Sequence, residues 1–356
     1  MQQFKFIDLF SGIGGFRTGF EREGFKCVFS SEINEDCQKV YEKNFNEKPE
    51  SDITKIEPKN IPDFDILLGG FPCQPFSISG RKKGFEDTRG TLFFDICRII
   101  DVKKPKLVVL ENVKHIIHHD NGRTIKIIQE SLESLSYYVN ITILNAKDFG
   151  LPQNRERVII VASKYKKFDF NLLNKQNAKP LKYFLDKEGD FEYLDKSEYT
   201  LIDNPKIQSS GLLFVGYRNK NIWKKGVRPN TMHLSRVHRQ PNRIYSIEGF
   251  HPTIPSQETT GRFFIYLPDE DKVRKLTINE CYKIMGFNDN FIKSEKISEQ
   301  YKQIGNSIAV NLVQEIAKSI KEQGLLENEQ DGNAGTTKTR RIVQESFNFD
   351  KARVAI

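Results

Sequence analysis

Short apolar runs recur along the first half of the chain, at residues 4–10, 27–31, 65–68, 106–111, 138–144 and 158–163. Each has the length and composition of a strand buried in a sheet. Between them, residues 16–23, 91–100 and 124–135 carry apolar positions three and four apart, the spacing of a helix that turns one face to a core. Strands alternating with helices predict parallel pairing through crossover connections. The expected fold class is therefore α/β: a doubly wound, mostly parallel sheet covered on both faces.

The rhythm fails near residue 164, and residues 165–203 are polar, rich in Lys and Asp, and without a period. A helical pattern returns at residues 277–285 and 307–322. This predicts a discontinuous first domain, residues 1–163 plus 276–324, interrupted by a smaller, irregular domain over 164–275. Residues 327–338 lack large apolar side chains, so 325–356 is expected to be a flexible tail.

A chain of 356 residues with 38% hydrophobic and 29% charged content is that of a soluble globular protein rather than a disordered or fibrous one. No stretch approaches the ~18 apolar residues of a membrane span, and the N-terminus lacks a basic segment followed by a long apolar run, so a cytoplasmic protein is expected. Five widely spaced cysteines fit neither a disulfide framework nor a zinc finger. Cys27, Cys37, Cys97 and Cys281 read as buried structure.

The net charge of +8 is concentrated. Residues 164–263 hold 18 basic and 10 acidic side chains, and residues 204–247 hold no acid at all. Nine cations, Arg218, Lys220, Arg228, Arg236 and Arg239 among them, are interleaved there with Phe214, Tyr217, Trp223 and Tyr245. That is the footprint of a polyanion-binding surface.

The first strand runs into Ser11-Gly12-Ile13-Gly14-Gly15 ahead of a helix. A glycine turn in this place lets a ligand approach the backbone, and an acid about 20 residues later can hold ribose hydroxyls. Glu32 follows Gly12 by 20 residues. Arg17 stands where a dinucleotide motif would have its third glycine, which disfavours a diphosphate and favours an adenosine-containing ligand without one. A second loop, Gly69-Gly70-Phe71-Pro72-Cys73-Gln74-Pro75, follows a buried strand and presents Cys73 at its C-terminal end, where open α/β sheets place ligand sites. The polar, glycine-punctuated residues 79–90 beyond it suit a mobile lid.

Residues 70–77 (GFPCQPFS) and 8–15 (DLFSGIGG) closely resemble the C5-cytosine DNA methyltransferases of bacterial restriction-modification systems. Glu111-Asn112-Val113, Gln153-Asn154-Arg155-Glu156-Arg157, and Gln303-Ile304-Gly305-Asn306-Ser307, which is expected to open the last helix, agree with that family in order. The resemblance covers roughly residues 4–163 and 243–322. It implies the Rossmann-like fold of S-adenosylmethionine-dependent methyltransferases, with S-adenosylmethionine as cofactor, no metal, and residues 164–275 as a DNA-recognition domain.

The resemblance assigns Cys73 to attack on carbon 6 of a flipped cytosine, Glu111 to the N3 edge, and Arg155 and Arg157 to the ring carbonyl and a neighbouring phosphate. It assigns the cofactor to Phe10, Gly12, Gly15, Glu32, Ile33, Asp52, Ile53, Pro72, Leu92, Asn306 and Ser307. Ser79, Arg81 and Arg89 on the lid, with Arg218, Lys220, Arg228, Arg236 and Arg239, are the expected DNA contacts. His115, His118, His119 and Asp120 have ligand-like spacing but follow the Glu-Asn-Val motif in a loop, and the implied chemistry needs no metal.

A monomer acting on duplex DNA near the nucleoid is expected, paired functionally with a restriction endonuclease without touching it. Three rivals stand beside this reading: a tRNA cytosine methyltransferase, a catalytically silent DNA-binding regulator, and a nicotinamide-dependent oxidoreductase. Intact Cys73, Glu111 and Arg155 oppose the second, and the missing diphosphate turn opposes the third. Target sequence lies beyond the motifs.

Overall fold

The computed structural model describes residues 3–72, 92–219, 242–256 and 263–327. Its main sheet has the strand order β2-β1-β3-β4-β7-β5, formed by β1 (Lys5–Leu9), β2 (Lys26–Ser31), β3 (Ile66–Gly70), β4 (Leu107–Val113), β5 (Tyr138–Asn145) and β7 (Glu156–Ser163). β1 to β4 pair in parallel, whereas β7 runs antiparallel to both neighbours. The sheet is thus mostly parallel, with the exception at β7. A buried apolar run fixes a strand's burial but carries no sign of its direction.

Alternation along the strands sends side chains to two cores. Phe6, Leu68, Val109 and Val161 face one side, packed by α1 (Gly15–Arg22) and α7 (Val310–Glu322). Ile7, Leu67, Val108 and Ile160 face the other, packed by α3 (Leu92–Lys103) and α4 (Arg123–Ser134). Two further helices escaped the sequence pattern. α2 (Glu35–Phe45) is capped by the Asn34 side chain, which accepts from the Cys37 N–H, and closes at Asn46 in the left-handed region. α6 (Ile297–Asn306) contains the Gly305-Asn306 pair, so that motif closes one helix rather than opening the last, which begins at Val310. Leu325 and Leu326, assigned from sequence to the tail, are instead buried in the core with Phe6.

A second sheet has the order β13-β12-β10-β9-β8, from β8 (Tyr199–Leu201), β9 (Phe214–Arg218), β10 (Arg243–Ser246), β12 (Phe264–Leu267) and β13 (Lys272–Lys275). Its small core is Tyr199, Val215, Ile244, Phe264 and Val273. On the opposite face of β12, Ile265 and Leu267 join Cys281 and Tyr282 of α5 (Ile278–Lys283) and Ile304 of α6. The short pair β6 (Gln153–Asn154) and β11 (His251–Pro252) stitches the chain before β7 to the second unit.

α5 is fixed by a Thr277–Glu280 capping box and by a buried fork: Arg274 donates to both Glu280 oxygens at 2.9 and 2.7 Å. The N–H groups of Thr277 and Asp186 complete that carboxylate's shell. The Glu280 carboxylate, with four donors on it, avoids the penalty of an unpaired buried charge.

Candidate active site

After β1 the chain passes through Phe10 at φ 56° and Gly12 at φ 55°, and Gly14 at φ 85° opens α1. The left-handed region costs a non-glycine residue about 1–2 kcal/mol, a strain found where a backbone is shaped for a ligand. A Cβ at Gly12 would meet nothing within 4 Å, so that turn faces open space. One at Gly15 would lie 2.8 Å from Ser307 Oγ, so there the turn is pressed against the segment following α6.

This turn is one wall of a cavity of about 490 Å³. Opposite it, at the end of β2, the Glu32 carboxylate accepts from the N–H groups of Gly12 at 2.9 Å and Asn34 at 2.8 Å. Ile33 follows, 68% exposed although apolar. Asp52 accepts from the Thr54 hydroxyl at 2.7 Å and amide at 3.1 Å, and these bonds hold its carboxyl below the usual range. Phe10, Gly12, Gly15, Glu32, Ile33, Asp52, Ile53, Pro72, Leu92, Asn306 and Ser307, far apart in the chain, all line this one space.

Glu111 and Arg157 line it too. Glu111 comes from the end of β4 and Arg157 from the start of β7, and only the antiparallel register brings those ends together, with Val113 opposite Arg157. Arg157 Nε lies 2.8 Å from Glu111 Oε1. Burial raises the Glu111 carboxyl above its ordinary range, although the guanidiniums of Arg157 and Arg155 oppose the shift. Next along β4, Asn112 donates to the Phe71 carbonyl at 2.8 Å, anchoring the chain just before Pro72.

Arg155 does not share this placement. It is 1% exposed, and its guanidinium donates to the carbonyls of Gly305 at 2.9 Å, Ser307 at 2.5 Å and Ile254 at 3.4 Å. Its expected contact with phosphate or a ring carbonyl is not what the described residues show: both Nη groups donate to carbonyls around the end of α6, while the buried Nε has no hydrogen-bond partner among the described residues. Cys37 is corrected as well, being half-buried and lining the cavity, while Cys27, Cys97 and Cys281 are buried. Gln303, Lys302, Ser11 and Asn34 also line the cavity without having been singled out. Only the neighbouring motifs pointed to them.

Cys73, Ser79, Arg81, Arg89, Lys220, Arg228, Arg236 and Arg239 lie outside the described residues. Arg218 is described, and its guanidinium sits 4.3 Å from the centre of the Phe264 ring. Among the described residues no group of three or more His, Cys, Asp or Glu side chains could hold a metal. His119 Nδ1 instead lies 2.7 Å from Thr124 Oγ1.

Residues 4–322 match the model of the C-5 cytosine-specific DNA methylases. The chain belongs to that family. As a DNA cytosine-5 methyltransferase, it is 40% identical over 331 residues to the Type II methyltransferase M.HhaI of Haemophilus parahaemolyticus, covering 89% of this chain and 94% of that one. To M.NgoBI of Neisseria gonorrhoeae it is 42% identical over 322 residues, covering 88% and 92%. The fold of this methylase is also that of Entamoeba histolytica EhMeth, with a TM-score of 0.64 at 21% identity, covering 91% of this chain and 99% of that one. The S. pombe Dnmt2 methyltransferase gives 0.64 at 18%, covering 90% of this chain and 99% of that one. No helix among the described residues of the methylase is long and apolar enough to cross a membrane.

Proposed function

We infer that this methylase transfers a methyl group from S-adenosylmethionine to carbon 5 of a cytosine within a specific duplex DNA sequence, as the modification arm of a Type II restriction-modification system. The observation that carries the reading is that Glu111 and Arg157 open onto the same cavity as the glycine turn. One space thus holds both a nucleoside-type ligand wall and a carboxyl–guanidinium pair fit for a pyrimidine edge.

The residues present fit the cofactor. Glycine 12 leaves room for a ligand against the backbone, and Glu32, with each oxygen held by one N–H, keeps lone pairs for ribose hydroxyls. Asp52 suits the adenine amino group, and the exposed Ile33 with Phe10 suits the faces of its ring. When bound, S-adenosylmethionine supplies an electrophilic methyl group.

The chain supplies the rest. A cytosine in a duplex is out of reach and has to be flipped from the stack. Cys73, presented beyond the Asn112-anchored Phe71-Pro72, adds its thiolate to carbon 6 and so makes carbon 5 nucleophilic; once carbon 5 carries the methyl group, a base removes the carbon 5 proton, the carbon 5–carbon 6 double bond re-forms and the thiolate leaves. Glu111, with its proton affinity raised by burial, shares a proton with N3 as negative charge develops on the ring. Arg157 orients that carboxyl and faces the ring carbonyl. The lid residues Ser79, Arg81 and Arg89 close on the DNA, and the acid-free stretch 204–247 of the recognition domain, residues 164–275, binds phosphates and reads the major groove. The enzyme acts as a monomer at the nucleoid, beside an endonuclease it does not touch.

The test is transfer of labelled methyl from S-adenosylmethionine to duplex DNA and to tRNA, with Cys73→Ser as control and bisulfite mapping of the product. Sequence-specific 5-methylcytosine in DNA, lost in Cys73→Ser, is the expected result. Label on tRNA alone, or tight DNA binding without any transfer, would overturn it.

A further inference from the structure

Arg17 occupies the position at which a dinucleotide-binding turn has its third glycine, and the structure gives its side chain a task. It is 7% exposed, and its guanidinium reaches from α1 to the far end of α2. Nε donates to Glu21 at 2.8 Å, Nη1 donates to Glu47 Oε2 at 2.9 Å and to the Tyr41 hydroxyl at 3.4 Å, and the group lies 4.5 Å from the centre of the Phe45 ring. The same ring packs under the glycine turn, where a Cβ at Gly14 would fall 2.7 Å from Phe45 Cζ.

Glu47 carries the connection onward. Its other oxygen accepts from Ser30 Oγ at 3.2 Å, at the end of β2. Beyond it, the Glu50 N–H donates to the Ser30 carbonyl and the Glu32 N–H to the Glu50 carbonyl, at 2.9 and 2.8 Å. Ser31 Oγ then donates to the Ser51 carbonyl at 3.3 Å. Ser51, Asp52 and Ile53 line the same cavity as the glycine turn. A single guanidinium is therefore held to Glu47 by a charge-assisted bond, stronger than a neutral one, and is connected onward to the Ser51 wall by neutral bonds of Ser30, Ser31 and Glu50 and to the glycine turn by the Phe45 ring.

We propose that Arg17, through Glu47, is a positioning residue that sets the separation of the glycine turn from the Ser51–Asp52–Ile53 wall, and so fixes the cavity's width for an adenosine-containing cofactor. Arg17 touches neither cofactor nor DNA. The inference rests on the cavity's reading as the S-adenosylmethionine site.

The test is calorimetric binding of S-adenosylhomocysteine to the full chain, for wild type, Arg17→Met, Arg17→Lys, Glu47→Gln and the Arg17→Met/Glu47→Gln double variant, with thermal midpoint and duplex DNA affinity recorded on the same samples. Arg17→Met and Glu47→Gln should each weaken ligand binding about tenfold, the double variant no further than either alone, and Arg17→Lys should recover part of the loss. DNA affinity should stay unchanged. The half-exposed Glu47 keeps the test open if Arg17→Met fails to fold. Additive effects in the double variant, or loss of binding only in step with thermal midpoint, would overturn the proposal. Glu32→Gln separates the two levels: if it too leaves binding intact, the cavity's reading has failed, whereas if it alone weakens binding, only the role of Arg17 has.

Discussion

Gly305→Ala sets two effects of opposite sign against each other. Gly305 lies in the last turn of α6, where alanine improves helix propensity by at most about 1 kcal/mol. Its Cβ, however, would fall 2.5 Å from Ser256 Cα and from the Pro255 carbonyl carbon, with the Pro255 oxygen closer still. That is about 1 Å short of ordinary carbon contact, and the obstructing atoms are backbone, which cannot swing aside. Overpacking of this kind costs about 1–3 kcal/mol, so packing prevails and the variant should be destabilised by about 1–2 kcal/mol. The displacement also reaches the site. The Gly305 carbonyl accepts from Arg155, and the next two residues, Asn306 and Ser307, line the cavity. Urea unfolding should show a lower midpoint at unchanged slope, and S-adenosylhomocysteine binding should weaken by about tenfold. A midpoint equal to or above that of wild type would refute the reasoning, because helix propensity would then have outweighed a contact that is not tight.

Glu111→Gln should keep DNA affinity but lower kcat by about 10²–10⁴-fold, since the amide cannot share a proton with the ring; single-turnover transfer measures this, and a loss below threefold would remove Glu111 from the chemistry. Asp8, on β1 just before the glycine turn, is fully buried, and burial raises its pKa well above the ordinary 3.8 although the nearby Arg17 opposes the shift. The folded state therefore holds this proton after the unfolded state has released it, so Asp8 costs stability as pH rises above about 4. Asp8→Asn should gain on wild type progressively from that pH upward in denaturant midpoints, and a constant difference would contradict the assignment. Cys37 lines the cavity with its thiol pushed by burial to about 12, so in a Cys73→Ser background it should alkylate slowly, and S-adenosylhomocysteine should slow it further; labelling unaffected by the ligand would place the thiol outside the site.

The sheet was legible in the sequence because its strands are short segments rich in apolar residues, and β1 to β5 begin and end within a few residues of those segments. α2 was not, since the polar and charged residues of Glu35–Phe45 break up its inward face, made of Val40 and Tyr41 with buried Gln38 and the partly buried Cys37 and Phe45. The glycine turn and Glu32 were readable from local spacing, whereas Glu111 and Arg157 meet only because β7 reverses direction, a property of pairing rather than composition. The placement of Arg155 was illegible for a related reason. Alternation puts residues two apart on one face only within a strand, and Arg155 precedes the first residue of β7. Its donors follow the carbonyls of Gly305 and Ser307, 150 residues further on, which no local pattern announces.

The cavity closes across nearly the whole length of the chain. Phe10 to Gly15 form one side, and Asn306 and Ser307, which press on Gly15, form another. On the ribosome the glycine turn emerges early and folds against a sheet that is soon complete, yet the wall that completes the pocket is among the last parts made. A nascent methylase therefore has no finished cavity until its second sheet has also been synthesised. Closure of the cavity is thus a report on completion of the polypeptide as a whole, and a product truncated before Asn306 and Ser307 would lack one of its sides.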